Sequence, residues 1–269
     1  MAAKASGGTV KVVYGLRDAV KLARQEPTQE FVFLAIGFET TAPSTAIEVL
    51  NKPPRNFSFL VSHRLIPPAM ELLVGIGDLH IAGFIAPGHV STIIGTKPYE
   101  IFPKAYRIPT VIAGFEPLDV LFAISMLLQQ IKTGAPQLEN EYTRVVKQEG
   151  NTRAQKLMER VFEVVDGRWR GLGKLPLSAL TLKEDFQMYD ARKKFDLQIK
   201  QSKDLLHGCL CHLVMIGKIK PWECGSYMTT CTPHAPKGAC MVSIEGTCRI
   251  WAKHQVPNSL GEHSRRLSF

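Results

Sequence analysis

Apolar and polar positions along the chain follow two alternating periods. Five short runs rich in β-branched and aromatic residues, spaced about two dozen residues apart, read as buried strands of a parallel sheet. They are Val10–Tyr14, Phe31–Ile36, Phe57–Val61, Ile81–Ile85 and Pro109–Ala113. Between them, Leu16–Arg24, Ser44–Leu50, Pro67–Gly75 and Pro117–Ile131 carry apolar residues at helical spacing. Strand and helix in alternation predict right-handed βαβ units and a Rossmann-like α/β core with a parallel sheet over residues 1–133. Residues 134–204 read as a mostly helical continuation, including Asn151–Val165 with Leu157, Val161, Phe162 and Val165 on one face. A cysteine-rich segment, 205–251, and a tail without periodicity, 252–269, follow.

In an open parallel sheet, ligands bind beyond the carboxyl ends of the strands. Four predicted strands run into Glu39-Thr40-Thr41, Ser62-His63-Arg64, Pro87-Gly88-His89 and Glu116 through Asp119. If the strands share one sheet, these loops bring Glu39, His63, His89 and Glu116 to a single edge, a set suited to acid–base work or metal handling. Each residue also has a structural use. Thr40 and Thr41 are good helix N-caps, Pro43 and Pro117 suit a first helical turn, and a loop histidine commonly serves as a hydrogen-bonding group.

Composition narrows the class. The chain has 269 residues, 45% of them hydrophobic and 21% charged, which excludes a disordered, collagenous or coiled-coil chain. No uncharged apolar run nears the ~18 residues of a membrane span, and the first residues lack a signal-peptide core. These features predict a soluble, cytoplasmic protein. The net charge of +9 is concentrated in residues 144–269, with 21 basic and 12 acidic side chains against 12 and 12 in residues 1–143. The basic positions are scattered without aromatic interleaving, so a solvated face is favoured over a nucleic-acid platform. Familiar motifs are missing. Gly167 to Lys174 has the wrong spacing for a phosphate loop. No glycine-rich dinucleotide fingerprint follows a strand, and there is no nucleophile elbow.

Cysteine placement changes the picture most. The first 208 residues contain none, and all six lie between Cys209 and Cys248. The set is Cys209, Cys211, Cys224, Cys231, Cys240 and Cys248. Such clustering points to metal or redox chemistry. Neither paired zinc knuckles nor the common ferredoxin spacings are present. An iron–sulfur cluster and zinc are equally compatible, with disulfides as a third alternative. Four thiols complete one centre, leaving two as a possible redox pair. His212 and His234 are spare candidate ligands, with a place behind the centre or in solvent as the favoured reading.

The stretches VKVVYGLRDAVKLA, FLAIGFETTAP, SHRLIPPAM, GFIAPGHVSTIIG, YRIPTVIAGFEPLDVL, DGRWRGLGKLPLSAL and CTPHAPKGACMVSIEGTC resemble the HypD family of [NiFe]-hydrogenase maturation proteins, in order and over residues 9 to about 251. The resemblance implies an α/β core of two similar lobes and a C-terminal [4Fe–4S] domain. It places a redox-active cysteine pair near the cluster, as in ferredoxin–thioredoxin reductase. It also implies work with a HypC-type iron chaperone and a HypE-type cyanide donor on transient iron with CN and CO ligands, building the Fe(CN)2CO group of the hydrogenase. Neither nucleic acid nor a membrane is implied. Four of the six cysteines would hold the cluster and two would form the pair. Glu39, Thr40 and Thr41 would line the cleft for the iron fragment, with His63 and His89 nearby. Hydroxyls, an imidazolium and backbone N–H groups would then stabilise the anionic iron group.

The chain also departs from the family. It begins at a point matching the family's interior, without the amino-terminal part that carries a GPGCPVC motif. Such a truncation predicts a bare sheet edge or apolar face. The family's CxCG becomes Cys209-Leu-Cys211-His212, and the residues around Tyr227–Thr230 and after Arg249 differ. Two other readings therefore stand beside the first: a zinc-stabilised binding module and a non-functional truncated fragment.

Overall fold

The computed structural model describes residues 6–75, 81–198 and 207–254. The chain forms two compact units. The first comprises residues 1–71, 82–167 and 176–200, and the second 72–81, 168–175 and 201–269.

In the first unit, α1 (Leu16–Gln25) buries Ala19, Val20 and Ala23, with Asp18 in its first turn and Arg24 in its last, charges that suit the helix dipole. Strands β1 (Phe31–Gly37) and β2 (Phe57–His63) pair in parallel from Phe31 opposite Phe57 to Gly37 opposite His63, with α2 (Ala42–Leu50) as the crossover. Phe57 and Phe59 are fully buried, their rings edge-on at 5.2 Å, and both meet Phe33. After α3 (Ile66–Gly75), a second parallel sheet forms from β3 (Phe84–Pro87), β4 (Thr110–Ala113) and β5 (Leu138–Asn140), in that spatial order. Helices α4 (Gly88–Ile94) and α5 (Ile101–Ala105) connect β3 to β4. Helix α6 (Pro117–Thr133) connects β4 to β5. It opens on a Glu116/Asp119 capping box and ends at Gly134 in the left-handed conformation. Helix α7 (Thr152–Val161), capped by the Asn151 side chain, precedes β6 (Phe162–Trp169) and β7 (Gly173–Leu182), which pair with each other and whose hairpin end, 168–175, belongs to the second unit. A short α8 (Ala191–Lys194) follows.

The mixed α/β class and parallel pairing agree with the sequence pattern, but three expectations change. Val10–Tyr14 is not a strand: Val12 and Tyr14 are fully solvent-exposed, because β1 is paired only with β2 and the segment has no ladder partner among the described residues. The predicted single sheet is two. The far side of β2 is taken by bridges from Phe59 to Asp190 and from Arg64 to Ala179, which close that edge to β3. The described part of residues 134–204 is not mostly helical, because the helical period stops at Val161 and the β-branched Val164 and Val165 continue as β6; residues 199–204 lie outside the described residues. Apolar side chains are exposed on two elements. On β1, Val32, Leu34 and Ile36 are 47–63% exposed while Ala35 is buried, and on α6 Leu118, Leu121, Phe122 and Leu128 face solvent. Among the described residues no helix is long and apolar enough to cross a membrane.

The second unit holds short helices α9 (Cys211–Met215), α10 (Ala239–Val242) and α11 (Thr247–Lys253) and a 3-10 turn at Pro221–Glu223. Its core is largely sulfur: five of the six cysteines pack with Val214 and Met241. Of the tail expected at 252–269, the part up to His254 completes the α11 region, and the rest lies outside the described residues.

The aromatic core of the first sheet sets its stability. Phe59→Ala should lower the unfolding free energy by about 3–5 kcal/mol, measured by urea denaturation. Val32→Ala, on the bare face of the neighbouring strand, should cost less than about 1 kcal/mol. Equal effects would contradict the one-sided core.

Candidate functional site

The loop after β1 is shaped by Gly37. Its φ of +137° is open to glycine, and a Cβ there would lie 2.2 Å from Thr41 Oγ1. Thr41 stands at the cap position of α2 but does not cap it. Its hydroxyl donates back to the carbonyls of Phe38 (3.1 Å) and Ile36 (3.4 Å). That tight return drives Glu39 inward, to 2% exposure, where Oε1 accepts the Ile66 N–H at 2.9 Å and Oε2 has no partner. Burial pushes the Glu39 carboxyl up to about 7. Thr40 is half-buried.

His63 closes the paired strand, opposite Gly37. It is 1% exposed, its Nε2 lies 3.1 Å from Thr45 Oγ1, and its ring meets Phe162 edge-on. Nδ1 has no hydrogen-bond partner. Burial lowers its pKa to about 4, so the imidazolium expected here is replaced by a neutral ring. Arg64 is the cation at this end of the strand, and its Nη1 donates to the His63 carbonyl at 3.1 Å.

Splitting of the sheet also splits the expected quartet. Glu39 and His63 share one carboxyl edge, and His89 and Glu116 share another. His89 stacks on Phe115 with ring centroids 4.0 Å apart. Among the described residues, no hydrogen bond or ring contact joins His89 to Glu39 or His63. Arg144 grips Asp119 through two bonds of 2.9 and 2.7 Å, lies over the Tyr142 ring and reaches Glu116 at 3.6 Å. The hydrogen bonds from Arg144 hold the Asp119 carboxyl below the usual range. Tyr99 is a residue that sequence reasoning misses, because no motif or period marks it. It is fully buried, its hydroxyl is hydrogen-bonded with Ser91, and burial, with Glu39 adding repulsion, keeps it protonated.

In the second unit all six cysteines are free thiols, 1–7% exposed, around one cavity of about 10 Å³. Cys209 and Cys211 enter α9, Cys224 follows the 3-10 turn, Cys240 lies in α10 and Cys248 in α11. Gly238 lets the chain close on them, because a Cβ there would meet Cys209 Sγ at 2.5 Å and Cys211 Sγ at 3.2 Å. The Lys237 N–H donates to Cys231 Sγ at 3.3 Å, and Cys240 Sγ lies 3.1 Å from Cys248 Sγ. Burial pushes the Cys209 thiol up to about 11. The Cys211 thiol is raised first by its hydrogen bond with Cys240 and then by burial. Burial also raises Cys248. His212 is half-buried with an unpartnered Nδ1, and His234 is exposed.

Six sulfur donors in one pocket fit a thiolate-bound centre, with His212 as the nearest nitrogen in sequence. The cavity has room for no more than about one water, and among the described residues no three His, Cys, Asp or Glu side chains form a ready metal cage. Binding a thiolate centre there would release the thiol protons.

Two measurements test these electrostatics. Glu39 has a folded pKa above its ordinary 4.5, so it loses stability as pH rises from 4.5 to about 7; His63, lowered from 6.5 to about 4, gains stability as pH rises between those values. The two slopes oppose each other in the wild type. Glu39→Gln should be stabilised relative to wild type by up to about 3 kcal/mol more at pH 8 than at pH 4, measured by urea unfolding; a pH-independent difference would refute the buried neutral carboxyl. With Cys209, Cys211 and Cys248 raised, alkylation of these thiols in the metal-free native chain by iodoacetamide at pH 7.5 should be at least about tenfold slower than that of a free thiol, and become complete on denaturation.

The hydrogenase formation hypA family model, HypD, matches residues 1–255. The chain is 44% identical over 256 residues to hydrogenase maturation factor HypD of Cupriavidus necator, covering 91% of this chain and 67% of that protein. It is 43% identical over 274 residues to hydrogenase maturation factor HypD2 of Bradyrhizobium diazoefficiens, covering 98% and 71%. It is 44% identical over 261 residues to hydrogenase maturation factor HypD of Rhizobium leguminosarum bv. viciae, covering 93% and 68%. The likeness runs through both compact units, including the buried Glu39 loop and the sulfur core: this chain belongs to the HypD family of hydrogenase maturation factors.

Proposed function

We propose that the chain acts in the cytoplasm as a redox scaffold for assembling the Fe(CN)2CO group of [NiFe]-hydrogenase, with a HypC-type iron chaperone and a HypE-type cyanide donor as its partners. The observation that carries this reading is the gathering of six buried free thiols around one cavity in a HypD-family chain. Four of them would hold a [4Fe–4S] cluster, which supplies one-electron chemistry when bound. The other two would form a dithiol–disulfide pair.

The contacts favour Cys240 as one member of that pair. It is hydrogen-bonded to Cys211 and lies 3.1 Å from Cys248, so it has a neighbour on either side for a short S–S closure. Joining Cys240 to one of them forms one S–S bond and releases two protons and two electrons to an external electron-carrier protein.

In the first unit, Glu39, Thr40, Thr41 and His63 form the place where the iron fragment with its CN and CO ligands is held as cargo; His89 contributes from the other sheet edge. With its carboxyl raised to about 7, Glu39 is protonated in about half of the molecules at neutral pH, and in that form it presents an O–H donor to a cyanide nitrogen, a role an ionised carboxylate could not fill. Neutral His63 holds Thr45 and shapes the wall of the site, and Arg64 supplies the positive charge.

Anaerobic purification with iron, sulfide and zinc analysis tests the cluster assignment. About four irons and four sulfides per chain are expected, with a broad shoulder at about 400 nm. Cys240→Ser should keep that loading, while Cys209→Ser should lose most of it. Zinc alone would move the chain to the binding-module reading, and no metal would mark it as a fragment.

A further inference from the structure

Strand β5 is an edge strand: it pairs with β4 on one side, and no strand lies on its other side among the described residues. In the parallel register, Thr110 stands opposite Leu138 and Ile112 opposite Asn140. The Thr110 N–H donates to the Gln137 carbonyl, and the Glu141 N–H to the Ile112 carbonyl. That pattern turns the backbone groups of Glu139 toward β4 and those of Leu138 and Asn140 outward. Among the described residues, nothing takes the outward backbone groups.

The free edge opens on a groove of about 510 Å³ lined by Thr96, Lys104, Arg107, Gln137, Leu138 and Asn140, among others. Lys104 is committed to Glu100, also in the groove, at 2.6 Å, so that pair cancels its own charge. Arg107 is not committed: it is exposed and makes no hydrogen bond or ion pair among the described residues. Its backbone has a φ of +58°, a conformation that residues with a Cβ adopt at a cost. A strained arginine is thus held at the rim of an unpaired strand edge, with its five donors free. Natural sheets ordinarily cover or blunt such an edge.

We infer that this groove binds an extended peptide carrying a carboxylate, which adds to β5 as a further strand while Arg107 takes the acidic group. The outward N–H and C=O of Leu138 and Asn140 supply main-chain bonds that any extended peptide can make, and the guanidinium supplies the preference for an acidic one. The surface lies within the first unit and uses none of the cysteines or Glu39, so it stands or falls independently of the cluster.

Fluorescence anisotropy of the full chain tests the inference with three fluorescein-labelled short peptides: alternating valine–glutamate, alternating valine–lysine, and the valine–glutamate peptide N-methylated along one edge. A labelled oligothymidylate serves as a non-peptide anion. The acidic peptide should bind saturably at about 10–100 μM. The lysine peptide, and Arg107→Gly against the acidic peptide, should each lose about tenfold or more. Because glycine is relaxed at that φ, Arg107→Gly should melt no lower than wild type, so its loss of binding is not a folding defect. Leu138→Pro removes one outward N–H without touching the ladder to β4 and should weaken binding similarly. Equal binding of the lysine or N-methylated peptide, an oligothymidylate that binds as tightly as the acidic peptide, or no saturation up to about 1 mM would overturn it.

Discussion

The pairing of Gly37 with His63 at the carboxyl end of the first sheet is the constraint on which the first unit's chemistry depends. Parallel register leaves no freedom at that point: shifting one strand by a residue would turn every side chain to the opposite face. With register set by Phe31 on Phe57 and the aromatic layer above it, the chain must turn at Gly37 and fold back on itself. Thr41 then occupies the space a Cβ would fill, and the only course left for Glu39 is inward, to meet the Ile66 N–H. A carboxyl, an imidazole and a guanidinium come from two adjacent strand ends, and burial raises the pKa of the first and lowers that of the second.

Desolvation governs the chemistry in both units in the same direction. It pushes the Glu39 carboxyl up to about 7, leaves His63 neutral and raises the Cys209 and Cys248 thiols, while Cys211 is raised first by its hydrogen bond with Cys240 and then by burial. A charged group entering either site would shift these protonation equilibria. The contrast is Asp119 with Arg144, a pair whose charges are already matched and which serves the start of α6.

The strand edges differ in how they end. The far side of β2 is sealed by the chain at Asp190 and Ala179, whereas β5 is left open on a groove with an uncommitted arginine. The outer face of β1 and the exposed side of α6 are apolar and uncovered among the described residues. The fold thus presents two kinds of surface: apolar faces suited to packing and a polar edge suited to main-chain pairing.

Much of this is legible in the order of the residues. The strand-like runs at 31–36, 57–61 and 109–113, the four helices between the runs, and the motifs carrying the HypD resemblance depend on local pattern, and they reappear in the fold. So does the confinement of all six thiols to one segment, which places them in one pocket because a short, turn-rich chain cannot separate them far. Long-range pairing is not legible. Whether Val10–Tyr14 finds a partner, whether the strands make one sheet or two, and whether Phe162–Val165 stays helical are all decided by which edge meets which. The protonation states follow from the same tertiary source. Sequence shows that Glu39 and His63 end neighbouring strands, but not the charge they carry, which depends on burial. Local pattern specifies elements because it acts over a few residues through backbone geometry and side-chain period. Sheet edges, burial and charge depend on contacts between residues far apart in the chain, and only the folded structure brings those together.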